Sequence, residues 1–580
     1  MGMAAIGKPE LTGKVAEATA YEVGCVGVNL IHGPVLDVLS TSRPSPLGVR
    51  AFSDDPVTVL THGLDTVRGF NRSSILSCGK HFPSYGDVEF PDGTEFSLPS
   101  VVASADNLRK RAFVPFRACA QAGMDAILVG GCSMVVDGRN VSHACLDHDL
   151  VSNILRRECS FEGCIISDCL AMEALCHEIG TSQGVSRAIR AGCDMVTVCQ
   201  SNQAQLEALV SLRLAVQDGS VSRNSLIESN SRINKMKDRY MSWERALHPP
   251  GVTGLASRRL EHQTLSSRAF EGALSLIRDR SNGLNTLRNL PKDAQVLLLT
   301  PVVGLFPSIA TRETPTQPNE RPKAPLAPGE ETFQTFGSTL AKSLKARLVH
   351  TSYSANGLRP LHEDLIERSS AVIVFTTDAT RNSYQYAVTK HVNMQCKYQI
   401  CDNGQRKALV VAALSYPHDF LADHSIETYI CAYDFTEPSL RNLVRLLTGK
   451  LYATTMPPLT TARRALADSA TDRVPSRKTL WLVEAFEVDR DRAGLQKLLE
   501  NTSRTQLIPV VQERTCFVVR NSSMRTLLGL MIMSSQTSSG GHAGQIEAVL
   551  VDPAREGLGI EESLREHVKA AVDSGLGERD

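Results

Sequence analysis

The first 245 residues alternate short apolar runs with amphipathic stretches, and this alternation restricts the fold more than any other feature of the chain. Runs at 24–31 (GCVGVNLI), 75–82 (ILSCGKHF), 124–130 (MDAILVG), 163–168 (GCIISD) and 193–198 (CDMVTV) have the length and β-branched content of buried strands. Segments 11–23, 56–70, 107–122, 148–158 and 203–217 carry helical periodicity between them. Such repeats build parallel β/α units. Polar residues gather directly after the strands, at His32, at Lys80 with His81, and at Asp168, where a (β/α)8 barrel carries its chemistry. Ser167 and Asp168 would also suit a helix N-cap. The company of the other strand-end polar groups favours a functional reading of Asp168.

A chain of 580 residues is too long for one core, so two to four domains are expected. The Pro/Gly-bearing stretch LHPPGVTGLASRRLEHQ (247–263) closes a first domain over 1–246. Apolar runs at 294–302, 371–378 and 407–415 describe a second α/β domain over 264–455, interrupted by a Pro-rich, charged surface insertion at 306–330. A linker at 456–478 precedes a last segment, 479–580, which alternates strand and helix again. Lys plus Arg and Asp plus Glu number 62 each, which leaves no field to draw in nucleic acid or an anionic membrane. No apolar run reaches the roughly 18 residues of a membrane span, and the N-terminus lacks the basic-then-apolar pattern of a secretory signal. The fifteen cysteines include no CxxC pair and no Cys/His cluster at metal spacing. Cys25, Cys78, Cys164, Cys193 and Cys199 fall within apolar patterns, so buried reduced thiols, no metal and a cytoplasmic location are expected.

A collinear series of motifs resembles glycoside hydrolase family 3, on its fungal-type β-N-acetylglucosaminidase branch. The series is GVNLIHGPVLDV (27–38), LGVRAFSDDP (47–56), GKHFPSYGD (79–87), FVPF (113–116), FEGCIISDCLAM (161–172) and AGCDMVTVC (191–199). TTDATRNSYQ and ETYICAYDFTEPSL further on resemble the αβα sandwich that follows the barrel in that family. The resemblance implies a (β/α)8-type barrel, an αβα sandwich and a retaining hydrolase that needs no cofactor. It implies that Asp168 is the nucleophile that attacks the anomeric carbon, and that Arg50, Lys80 and His81 hold sugar hydroxyls. Charged, bidentate donors suit a polyol that must be oriented.

Three departures from the family pattern bear on activity. The branch usually reads KHFPGHGD followed by a short loop with DSH, whose Asp and His form the acid/base dyad. Here the text is KHFPSYGDVEFPDGTEFSLP, with Tyr85 in place of one histidine and none between His81 and Leu98. Counting back from Leu98-Pro99 puts Glu95 at the acid/base position, with Asp87, Glu89 and Asp92 as rivals; a glutamate serves as acid when burial raises its pKa. The motif series also begins after the family's first two barrel strands, and because strand number, tilt and shear are linked the expectation is either an incomplete version of the gene product, with an incomplete barrel, or a barrel rebuilt from other segments or a partner. Finally, Gly130-Gly131 stands where relatives commonly carry Ala-His.

The carboxy-terminal segment resembles the acyl-CoA-binding half of GNAT-type N-acetyltransferases, in which a V-x-P turn leads into a Gly-rich pyrophosphate loop. Val551, Pro553, Gly557 and Gly559 match, whereas Glu556 and Glu561 replace the loop arginine and a small residue. Two carboxylates beside a pyrophosphate repel it, so acetyl-CoA is disfavoured in this partial module. The expected activity is retaining hydrolysis of a terminal β-linked N-acetylglucosamine or a related sugar in intracellular amino-sugar metabolism, with a carbohydrate substrate and no nucleic-acid or membrane partner. The alternatives are a catalytically impaired sugar-binding or regulatory pseudo-enzyme, and a glycoside phosphorylase.

Overall fold

The computed structural model describes residues 1–40, 47–86, 100–171, 179–199, 201–302, 328–398, 406–453, 455–460, 481, 483–520, 526–538, 541–555 and 560–573. The chain divides into two units, Met1–Ala273 with Thr455–Asp468, and Leu274–Thr454 with Ser469–Asp580.

In the first unit the strands are β1 (Leu30–Ile31), β2 (Leu76–Phe82), β3 (Ser100–Ala103), β4 (Ala126–Val129), β5 (Ser133–Val136), β6 (Arg139–Val141), β7 (Cys164–Cys169) and β8 (Met195–Thr197). Five of them form one parallel sheet in the order β1-β2-β4-β7-β8, an open half-barrel among the described residues. The four later apolar runs fall on β2, β4, β7 and β8. The run at 24–31 is corrected: Gly24 and Cys25 continue the helix Pro9–Cys25, and only Leu30–Ile31 pairs with β2. Cys25 extends the buried face of Ala16 and Ala20, a helical spacing that a short apolar window cannot separate from a strand. The small sheet β3-β5-β6 was not expected. Phe82 stacks on Phe113 at 5.1 Å and meets Phe116 edge-on at 5.4 Å, in the core between β2 and the helix Phe113–Gln121.

Two buried carboxylates pin the strand starts. Asp125, just before β4, accepts from the Ser77 N–H and hydroxyl at the start of β2, both at 2.9 Å, and from Arg239. Asp194, just before β8, accepts from the Ile165 N–H of β7 at 2.9 Å, Arg156 at 2.6 Å, Arg232 at 2.9 Å and Ser229 at 2.8 Å. Both carboxylates have no exposed side-chain surface. Ser229, Arg232 and Arg239 all come from the helix Arg223–Tyr240, which the two carboxylates thereby fasten to the sheet. Removing a carboxylate that compensates buried cations is strongly destabilising. Asp194→Ala should cost about 3–5 kcal/mol, seen as a lowered urea midpoint for the first unit.

His62, buried on the helix Pro56–Arg72, is bonded through Nδ1 to the Thr12 hydroxyl at 2.8 Å. Burial above all pulls its pKa from 6.5 to about 4. Below pH 6.5 the unfolded chain binds a proton that native His62 refuses, so stability falls as pH drops through that window and levels off near pH 4. His62→Gln should flatten that part of the stability profile, measured by urea unfolding between pH 7 and pH 4.

In the second unit β9 (Ser275–Asp279), β10 (Gln295–Pro301), β11 (Arg347–Tyr353), β12 (Ala371–Thr376), β13 (Ala408–Ala413) and β14 (Thr428–Cys431) form a sheet in the order β11-β10-β12-β13-β14-β9. All neighbours are parallel except β9 with β14. Fully buried β12 (AVIVFT) runs through its middle, as expected of a strand covered on both faces. The expected insertion at 306–330 lies largely outside the described residues, and Pro328 already begins the helix Pro328–Leu344. In the same unit β15 (Val483–Ala485), β16 (Thr515–Arg520), β17 (Leu527–Ser538) and β18 (Gly541–Val551) form an antiparallel sheet, followed by the helix Ile560–Asp573. Glu556, Gly557 and Gly559 lie outside the described residues. No described helix is long and apolar enough to cross a membrane.

Candidate active site

The site is built where two strand pairs lose register. Between β2 and β4 the partners are Gly79 with Ile127 and then Phe82 with Val129, so Lys80 and His81 stand opposite a single residue. Between β7 and β8 they are Ile166 with Met195 and then Cys169 with Thr197, so Ser167 and Asp168 do the same. An extra residue in one strand bends it and turns side chains out of the sheet alternation, which is why such breaks recur beside active sites. Both dipeptides singled out in the sequence sit in these breaks.

Asp168 is held on both carboxylate oxygens. Its Oδ2 accepts from the Tyr85 hydroxyl at 2.9 Å and from the Gly131 N–H at 3.1 Å, and its Oδ1 accepts from the Cys169 N–H at 2.8 Å. The Gly131 N–H also lies 2.7 Å from the Tyr85 oxygen, so it is shared between phenol and carboxylate. Burial first, and the neighbouring Asp168 second, push the Tyr85 phenol well above its ordinary range. Tyr85 therefore keeps its proton and acts as donor.

Tyr85 is positioned by a residue that sequence reading missed. Asp37, fully buried within the GVNLIHGPVLDV motif, accepts from the Tyr85 N–H at 2.5 Å, from the His81 N–H at 3.2 Å and from His81 Nδ1 at 2.8 Å. The His81 ring packs on the Tyr85 ring at 4.6 Å. One carboxylate thus orders two of the rim side chains. Its signal was a lone acid in an apolar run that also carries Pro34, the same anomaly that drew notice to Asp168.

Lys80 and His32 lie within the electrostatic reach of Asp168. Burial, and then Arg50, lower the Lys80 pKa, while Asp168 and Asp37 act the other way. Burial, and then Lys80, lower the His32 pKa against the opposing pull of Asp168. Arg50, Lys80, His32 and Asp168 therefore share one electrostatic neighbourhood, with Arg50 exposed at the end of the turn Gly48–Arg50. His81 belongs to the same rim, its Nδ1 engaged by Asp37. Glu95 and its rivals Asp87, Glu89 and Asp92 lie outside the described residues. Cys199, expected within an apolar strand, is exposed just past the end of β8, while Cys25, Cys78, Cys164 and Cys193 are buried. Burial pushes the Cys78 and Cys164 thiols up to about 12.

Gly130 explains one departure in the sequence. A Cβ there would lie 2.9–3.0 Å from Tyr85 ring and hydroxyl atoms, so Tyr85 occupies space that a side chain at 130 would need. Gly130→Ala should cost about 1–3 kcal/mol by overpacking, and Gly130→Ala combined with Tyr85→His should recover most of it. Thermal unfolding of the two variants against the native chain checks this.

Residues 1–236 match the Glycosyl hydrolase family 3 N terminal domain. Over 187 residues the chain is 33% identical to a β-hexosaminidase of Neisseria gonorrhoeae, covering 32% of this chain and 50% of that protein. A β-hexosaminidase of Nitrosomonas eutropha is 29% identical over 205 residues, covering 35% of this chain and 57% of that one. The chain spans about half the length of the curated relatives it matches. Among solved structures, a fungal multi-domain family 3 β-N-acetylglucosaminidase with a GCN5-related glucosamine N-acetyltransferase region superposes with a TM-score of 0.67 at 23% identity, covering 100% of this chain and 64% of that one. A family 3 β-N-acetylglucosaminidase from Paenibacillus sp. str. FPU-7 gives a TM-score of 0.63 at 24% identity, covering 80% of this chain and 82% of that one. The family resemblance read from the motifs stands for the first 236 residues, and the fold of these neighbours agrees with an incomplete barrel followed by further α/β modules.

Proposed function

We propose that the chain is a retaining, β-hexosaminidase-type glycoside hydrolase that acts on a terminal β-linked N-acetylglucosamine or a related sugar, in the cytoplasm. The observation that carries this reading is Asp168, a carboxylate fixed by three donors at the mouth of β7 and within the electrostatic reach of Lys80. Fixing both oxygens holds the nucleophile in one orientation toward an anomeric carbon, and orientation is a large part of what such a site contributes.

In the proposed reaction a carboxylate oxygen of Asp168 attacks the anomeric carbon while Glu95 protonates the departing glycosidic oxygen. A water deprotonated by the same glutamate then releases the sugar from Asp168, so that two inversions give retention. Lys80 and Arg50 orient hydroxyls on the sugar as hydrogen-bond donors, and His81, anchored on Asp37, completes the rim. Tyr85 holds Asp168 rather than acting as acid or base, because its proton is engaged by the Asp168 carboxylate and burial disfavours its release. Glu556 beside Gly557 and Gly559 supports a carboxy-terminal segment that takes no part in acetyl transfer, since a carboxylate there repels a pyrophosphate.

Incubation with an activated N-acetylglucosaminide whose glycosyl-enzyme turns over slowly, followed by mass spectrometry and peptide mapping, should place a covalent sugar on the peptide that contains Asp168. Asp168→Gly should lose turnover and regain part of it with added azide; an unchanged rate would remove Asp168 from the nucleophile's role. Glu95→Ala should lose about 10² to 10⁴ in rate on substrates with poor leaving groups, and much less on activated aryl glycosides. Sugar binding by folded protein with neither adduct nor turnover would mark the chain as a binding protein.

A further inference from the structure

A cavity of about 510 Å³ lies in the Leu274–Thr454 part of the second unit, at the starts of β13 and β14 and the end of β9. Its size falls within the roughly 300–1,000 Å³ of small-molecule sites. Four cationic side chains line it, Arg280, Lys397, Arg406 and Lys407, against one carboxylate, Glu427. Lys407 is committed to the backbone carbonyls of Ile366 and Glu367. The guanidinium groups of Arg280 and Arg406 have no hydrogen-bond or ion-pair partner among the described residues. They are placed by the backbone: the Arg280 N–H donates to the Glu427 carbonyl at 2.9 Å where β9 runs beside β14, and Arg406 directly precedes Lys407 and β13.

Among the described residues, four cationic side chains share this cavity with one carboxylate. Burial lowers the Lys397 pKa, Arg406 and Lys390 lower it further, and Glu427 is the opposing carboxylate. Lys390 itself is paired with Asp423 at 2.9 Å. In the first unit, by contrast, cations are matched by the buried carboxylates Asp125 and Asp194. An excess of cations around a ligand-sized space is instead the arrangement that a multivalent anion completes, and a planar guanidinium matches phosphate oxygens in a bidentate way.

We infer that this cavity binds a small molecule carrying a phosphate or diphosphate group, with Arg280 and Arg406 as its principal ligands. The volume exceeds that of an inorganic phosphate ion, so the group is carried on a sugar-sized or larger body. This inference is independent of the chemistry proposed at Asp168.

Calorimetric titration of the full chain with inorganic phosphate and with pyrophosphate tests it. Saturable binding is expected, tighter for pyrophosphate. Arg280→Gln combined with Arg406→Gln should weaken it at least about tenfold, since each charged hydrogen bond lost is worth about that factor. Arg441→Gln, at an exposed helix pair with Glu437, should leave it unchanged, and far-ultraviolet circular dichroism should show all variants folded. Absence of saturable binding of either anion at millimolar concentration would overturn the inference. So would equal affinity in the double variant, which would put the anion elsewhere in the chain. Capture of a long polyanion alone would also overturn it, because the surface would then be a diffuse basic patch.

Discussion

The first unit depends on two carboxylates that never meet solvent. Asp125 and Asp194 each end an Ala-Gly-x-Asp stretch just before a strand, each takes a backbone N–H from the neighbouring strand, and each is neutralised by arginine from the helix Arg223–Tyr240. Gly123 and Gly192, at φ of +84° and +113°, turn the chain out of a helix and into the strand, a conformation that glycine adopts without a Cβ penalty. Parallel strands with no tight hairpin between them need such a device to set their relative height. With β2, β4, β7 and β8 aligned at their starts, the places where their other ends fall out of step are determined as well.

Those other ends carry the chemistry. The register breaks at Lys80-His81 and Ser167-Asp168 convert an orderly sheet edge into a rim on which side chains converge. Asp37 then locks His81 and Tyr85 from below, and Tyr85 in turn locks Asp168 together with the backbone of Gly131. The order runs from a residue with no exposure, through one that keeps its proton, to the carboxylate at the mouth. Positioning and reactivity are thereby assigned to different residues.

Much of this was legible in the sequence, and the rest was not for identifiable reasons. Apolar runs located β2, β4, β7, β8, β10, β12 and β13, since a buried parallel strand has to be apolar on both faces. The polar residues at the ends of β2 and β7 stood out against those runs. Periodicity could not show the register breaks, because register is a relation between strands that the pattern of one strand does not contain. It also misread 24–31, where helix end and strand share one apolar window. Asp37, Asp125 and Asp194 went unassigned because an acid at a strand end looks the same whether it holds the backbone or meets a ligand. Tyr85 was noted as a lost histidine, and only its bond to Asp168 shows what it supplies.

The fit of Tyr85 against Gly130 has a historical side. If the ancestral chain carried an alanine at 130, as the family resemblance implies, a tyrosine that entered first would have carried the overpacking cost of its ring against that methyl group. Loss of the alanine before or together with the aromatic substitution avoids that cost. Once the ring was seated on Asp168, return of the alanine carried the same cost. The rim thus resembles a ratchet, in which a small permissive change eased a path and its occupant made the way back costlier.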